Sequence, residues 1–132
     1  MGSETMDNQN LVYVIDDDEF IRGALDILLT SEGYVVETYA SPQEFLRADP
    51  PAGKGCVLTD FQMPGGLTGL DLLRNIVTRG LGWPVIIMTG QANERVRESA
   101  SRLGAFGFLA KPFGPELLIG AVRNALERLN AA

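Results

Sequence analysis

The sequence predicts an α/β fold, a five-stranded parallel sheet with helices on both faces. Three observations carry that expectation. Short apolar runs alternate with amphipathic helical stretches along the chain, the pattern of repeated βαβ units. Glycine, proline and capping residues punctuate the boundaries between them. Four of the runs end in polar residues, namely Asp16 with Asp17, Asp60, Thr89 and Lys111, at the carboxyl ends of strands where open parallel sheets gather their ligand sites.

The elements follow in order. Leu11 to Ile15 reads as the first strand, and the helix after it sets Ile21, Leu25 and Leu28 on one stripe before Gly33 stops it. Tyr34 to Tyr39 is the second strand. Ser41-Pro42-Gln43-Glu44 supplies an N-cap, a proline at the first helical position and a capping-box acid, so a short helix opens there and ends before Pro50-Pro51. Cys56 to Thr59 is a central strand covered on both faces. Thr68 with Asp71 forms a second capping box, opening a helix with Leu70, Leu73 and Val77 on one face. Val85 to Met88 is the fourth strand, with Trp83 packing at its mouth. Asn93 caps a helix carrying Val96, Ala100 and Leu103, which Gly104 ends. Phe106 to Leu109 is the fifth strand, and the last helix turns Leu118, Val122, Ala125 and Leu129 inward.

With 132 residues and 45% hydrophobic content, the chain fits one domain. Residues 1–9 read as a disordered lead, with Met6 as an alternative natural start, and residues 10–132 as the domain. The formal charge of −6 argues against direct nucleic-acid contact, whose usual footprint is a basic patch. Cys56 is the single cysteine, so no internal disulfide forms and the residue reads as a small core hydrophobe suited to the reducing cytoplasm. No apolar run approaches the ~20 residues of a membrane span, and the N-terminus carries no signal-peptide core. A cytoplasmic protein without membrane contact is expected.

Asp16, Asp17 and Asp60 brought within a few Ångströms would repel one another unless a cation neutralised them. An all-oxygen, open site suits Mg²⁺, which keeps several waters and takes one or two carboxylates plus phosphate oxygens. Histidine is absent, which leaves zinc and copper without a natural seat. Lys111 adds a charge and Thr89 a hydroxyl beside an acceptor carboxylate. Phosphoryl transfer needs such a set, because its catalysis is mostly positioning and charge neutralisation. Asp60 is the natural nucleophile. Taken singly, each residue has a plainer reading as a turn residue, a helix cap or a solvated lysine; joint placement at the ends of different strands favours the site.

Four segments together resemble the receiver domain of two-component response regulators: the acidic pair in VIDDDEFIR, the acceptor in LTDFQMP, the Thr-Gly of IIMTG and the lysine before proline in FLAKPF. The resemblance runs from about Leu11 to Leu129 and implies the flavodoxin-like strand order 2-1-3-4-5. It implies that Asp60 accepts phosphate from a sensor histidine kinase or phosphotransfer protein. Mg²⁺ would be held by Asp17, Asp60 and the backbone carbonyl of Gln62, with Asp16 helping through water. Thr89 and Lys111 would hold the phosphoryl oxygens, with Gly90 leaving them room. Gln62 and Gln91 would tune hydrolysis of the acyl phosphate, and Phe108 would follow Thr89 as a switch. The output would be protein association through the fourth helix, fifth strand and fifth helix, with homodimer formation on phosphorylation and a downstream output domain or effector. Such a domain is not an enzyme beyond self-catalysed phosphoryl acceptance and slow autodephosphorylation. FLAKPF and TDFQMP look nearest to receivers that precede a DNA-binding output domain.

Two departures stand out. After Met63-Pro64 the family usually reaches its glycine after three residues, whereas here Gly65-Gly66-Leu67-Thr68 puts four before Gly69. Two adjacent glycines predict a mobile loop beside the phosphate. The chain also stops after its last helix, as either an excised receiver or a single-domain regulator. Two other classes fit less well. A haloacid-dehalogenase-like phosphatase would carry an acidic acid/base two residues after its nucleophile, where Gln62 stands. A flavin-binding module would offer a phosphate cradle in the first turn, where Asp16-Asp17-Asp18-Glu19 would repel phosphate.

Overall fold

The computed structural model of the chain describes residues 10–48, 53–90 and 94–131. Strands and helices alternate as β1 (Leu11–Ile15), α1 (Glu19–Ser31), β2 (Val35–Tyr39), α2 (Pro42–Arg47), β3 (Cys56–Asp60), α3 (Gly69–Thr78), β4 (Val85–Thr89), α4 (Glu94–Leu103), β5 (Gly107–Ala110) and α5 (Pro115–Asn130). All strand pairings are parallel, in the order β2-β1-β3-β4-β5. The expected fold class and strand order are both present. No helix among the described residues is long and apolar enough to cross a membrane.

The period-two alternation of strand side chains divides the core into two layers. Val12, Val14, Cys56, Leu58, Ile86 and Met88 pack with α1 and α5 on one face. Leu11, Tyr13, Ile15, Val57, Val85 and Ile87 pack with α2, α3 and α4 on the other. Because β1, β3 and β4 are covered on both sides, their sequences are apolar up to their carboxyl ends, where Thr59, Asp60 and Thr89 stand. Cys56 is fully buried, and burial pushes its thiol up to about 12, the state of a core hydrophobe and not of a nucleophile. Trp83 stacks on Tyr13 at 5.7 Å between centroids, packing at the mouth of β4 as expected.

Several local expectations need correction. The second strand starts at Val35, because the Tyr34 amide closes the end of α1 on the Leu29 carbonyl at 3.1 Å. The fifth starts at Gly107, one residue later than expected. In α1 the buried positions are Leu25 and Leu29, with Ile21 and Leu28 flanking them half-buried. In α3 they are Leu72, Leu73 and Ile76, whereas Leu70 is half-buried and Val77 is exposed. α5 turns Leu126 inward beside the predicted residues, with Leu129 at the margin. Helices α1 and α3 carry apolar residues beyond the core stripe, so periodicity alone misplaces its centre. The Thr68–Asp71 capping box is present. Ser41 caps α2, but the Glu44 carboxylate accepts from the Ala40 amide and not from that of Ser41. The lead at 1–9, the expected stop at Pro50-Pro51, the Asn93 cap and Gln91 lie outside the described residues.

Candidate functional site

The site is assembled from the carboxyl ends of four strands. Past the last residue of β1, Asp16 is 1% exposed and every polar group it carries is engaged. Its amide donates to the Tyr39 carbonyl at 3.1 Å. Its carbonyl accepts from Arg22 Nη1 at 2.9 Å. Its Oδ1 accepts from the Asp18 amide at 2.9 Å, and its Oδ2 receives the Lys111 ammonium at 3.4 Å. Asp18 in turn caps α1 through the Phe20 and Ile21 amides. Asp17, between these anchored neighbours, is exposed.

Asp60 is the last residue of β3. The next amide, that of Phe61, donates to the Met88 carbonyl at 2.8 Å, carrying the β3–β4 pairing to the brink of the site. Gly69 at the start of α3 lies so close beneath that a Cβ there would stand 2.5 Å from the Asp60 carbonyl oxygen, so only glycine fits this approach. From β4 comes Thr89, 5% exposed, whose carbonyl accepts the Lys111 amide at 2.7 Å. That bond docks the residue after β5 onto the end of β4, where the Lys111–Pro112 peptide is cis.

The Lys111 ammonium stands 3.2 Å from Asp60 Oδ1 and 3.4 Å from Asp16 Oδ2. One carboxylate oxygen each from Asp16, Asp17 and Asp60 lies within 4.8 Å of the other two. Burial raises the Asp60 carboxyl above its ordinary range, and Asp16 adds repulsion, against the pull of Lys111 and the Phe61 amide. For Lys111 burial acts downward, but attraction to Asp16 and Asp60 outweighs it and the ammonium ends above its ordinary value. A cleft of about 260 Å³ opens over this group, lined by Asp60, Gln62, Thr89, Gly90, Lys111 and Val96 of α4.

Five of the sequence-predicted residues, Asp16, Asp17, Asp60, Thr89 and Lys111, therefore meet at one end of the sheet, with exposed Gln62 on the rim of the cleft. Phe108 stands apart. It is half-buried against the α2–α4 face, in register with Ile87, and carries the Arg97 guanidinium 5.0 Å from its ring centroid. Sequence reasoning missed Asp18 and Arg22. A strand-end carbonyl beyond the ladder needs a donor, and an arginine one turn into the next helix is the signal that it has one.

The chain matches the model of the response regulator receiver domain over residues 12–123. It belongs to the response regulator receiver family. This receiver is 44% identical to the transcriptional regulatory protein FixJ of Azorhizobium caulinodans over 117 residues, 89% of this chain and 55% of that protein. With the response regulator protein TodT of Pseudomonas putida it shares 35% over 121 residues, 92% of this chain and 53% of that one. The crystal structure of FixJ-N superposes with a TM-score of 0.85 at 33% identity, covering 97% of this chain and all of that one. The receiver thus spans about half the length of the curated relatives it matches.

Proposed function

We propose that this receiver is the phosphoacceptor of a cytoplasmic two-component system, taking a phosphoryl group on Asp60 from a phosphohistidine of a sensor kinase or phosphotransfer protein. The observation that carries the reading is the placement of Lys111, whose ammonium holds Asp60 at 3.2 Å on the floor of an open cleft that Thr89 also lines. An Asp60 oxygen attacks phosphorus in line with the departing imidazole nitrogen. The P–N bond breaks, the nitrogen keeps the electron pair, and a P–O bond makes an acyl phosphate. Lys111 and the Thr89 hydroxyl meet the phosphoryl oxygens, neutralising charge that spreads onto them in the transition state.

The three-carboxylate, all-oxygen donor set fits a hard divalent cation. Asp16, Asp17, Asp60 and the Gln62 carbonyl would hold Mg²⁺, which when bound neutralises the carboxylates and the incoming phosphate. The receiver is a self-catalysing acceptor with slow autodephosphorylation, tuned by Gln62 and Gln91, and not an enzyme acting on other substrates.

Thr89 and Phe108 form the switch. Drawing the Thr89 hydroxyl toward phosphate vacates space on the sheet face that Phe108 shares, and the ring turns inward. This alters the surface of α4, β5 and α5 for homodimer formation or for contact with an output domain. The name of the FixJ relative, a transcriptional regulatory protein, supports a transcriptional output exerted by a partner region, with no nucleic-acid contact by the receiver itself. Intact-mass measurement after incubation with acetyl phosphate and Mg²⁺ tests the acceptor. One phosphoryl group is expected on the natural chain and none on Asp60→Asn; addition to the Asn variant at the wild-type level overturns the assignment.

A further inference from the structure

The β3–α3 loop is where this chain departs from the family spacing, and its paired glycines predict mobility. A side chain from another element also reaches it. Gln43, on the first turn of α2, donates from Nε2 to the Gly65 carbonyl at 2.9 Å across 22 positions of sequence. Gly65 and Gly66 take φ of 99° and 94°, the left-handed region that favours glycine. A Cβ on Gly65 would stand 3.3 Å from that Nε2. Gln43 Oε1 is buried without a hydrogen-bond partner, so the amide forgoes one bond while its donor stays on Gly65. The reverse orientation would set acceptor against acceptor. The flanks of the loop are fixed by other means: the Gly69 amide on the Phe61 carbonyl at 2.8 Å, the Thr68 amide on Asp71 at 2.9 Å, and the buried Met63.

We propose that Gln43 is a positioning residue that pins this loop and thereby sets the lifetime of the acyl phosphate on Asp60. The inference rests on the acceptor reading above. Gln62 lies between Asp60 and the pinned glycines, exposed at the rim of the cleft. Hydrolysis requires a water to reach phosphorus; its oxygen joins the phosphate, the bond from phosphorus to the Asp60 oxygen breaks, and Asp60 leaves as carboxylate while the water protons pass to phosphate and solvent. A Gln62 held over that approach excludes the water. With the pin removed, the glycines swing and the loop loosens; Phe61 and buried Met63 keep the Gln62 backbone in place, and its exposed side chain gains the freedom to leave the approach, so that water enters. Gln43 touches neither phosphate nor Asp60, so its influence passes through Gln62.

The test follows loss of the phosphoryl group by intact mass after acetyl phosphate is removed, alongside amide exchange at Gly65 and Gly66. Gln43→Ala and Gln43→Glu both lose the donor, the latter at equal length, whereas Gln43→Lys keeps one. Ala and Glu are expected to shorten the lifetime about three- to tenfold, the scale one hydrogen bond sets, and to speed exchange at the two glycines, with the melting temperature lowered by only a few degrees. Lys is expected to stay near the natural lifetime. In a Gln62→Ala background, Gln43→Ala should add nothing, as coupling through Gln62 demands. Ala and Glu lifetimes equal to that of the natural chain, or full additivity with Gln62→Ala, would overturn the pin. A natural chain that takes no phosphate on Asp60 would instead overturn the acceptor reading.

Discussion

Helices α4 and α5 lie on opposite faces of the sheet and are held very differently. α5 buries Leu118, Val122, Ala125 and Leu126 in the layer it shares with α1. Among the residues of α4 only Ala100 is buried, and most of the others are charged or polar and exposed. Yet α4 is the helix that borders the cleft, through Val96, and it lies over the half-buried Phe108 through Arg97. An element held by few apolar contacts opens or shifts at low cost, and moving parts are drawn from such elements. In the proposed switch, α5 is the frame and α4, the less firmly packed helix, the part that responds.

The largest effect that would break this contrast is a pair of matched truncations. Leu118→Ala should cost about 2–5 kcal/mol, the range for a fully buried leucine, and Leu103→Ala, half-buried on α4, less than half as much. Chemical denaturation measures both, and equal losses would remove the distinction.

Metal linkage comes next. If Asp17 and Asp60 share Mg²⁺, the ion stabilises the fold by about 2.7 kcal/mol at one hundred times its dissociation constant. Thermal melting should rise with Mg²⁺ in the natural chain and stay flat in Asp17→Asn. A full response in the variant would place the ion elsewhere and detach it from the cleft that α4 borders.

The Asp60 carboxyl gives a pH-dependent test. Burial raises its folded pKa, so its contribution to stability is full below the unfolded value and is lost as pH rises through the folded one. At neutral pH, without metal, the ionised group costs stability. Asp60→Asn should therefore melt above the natural chain at pH 7, and the gap should close in acid. A lower melting temperature for the variant at pH 7 would mean that Lys111 compensates the carboxylate fully. The smallest effect sharpens the role of α4 itself. Arg97 over the Phe108 ring is an exposed cation–π contact of about 0.5–1 kcal/mol, so Arg97→Ala should barely change stability while moving the Phe108 ring signals in NMR spectra.

Much of this was legible in the sequence, for identifiable reasons. The buried strands announced themselves because residues covered on both faces must be apolar, and their polar ends stood out against that background. Thr68–Asp71 was readable because a capping box is local. The centres of the α1 and α3 stripes were not, because Ile27 and Val77 are apolar yet exposed and blur the period. The Gln43–Gly65 bond was hidden for a different reason. It joins two elements 22 residues apart, and nothing in a glutamine's neighbours tells which carbonyl it will meet. The loop whose paired glycines predict mobility also carries a tether, a contact that only the fold creates.

The most direct test of the central claim is an NMR comparison of the Mg²⁺-loaded receiver with and without beryllofluoride, a mimic of the phosphoryl group on Asp60. Shift changes are expected to spread from the loops around Asp16, Asp60 and Lys111 into α4 and β5, including Val96 and Phe108, while the buried residues of α5 stay comparatively still. Thr89→Ala should bind the mimic and lose the distant changes. Changes confined to the loops in the natural chain, with α4 and β5 silent and no change in self-association, would contradict the switch and leave a passive phosphate relay.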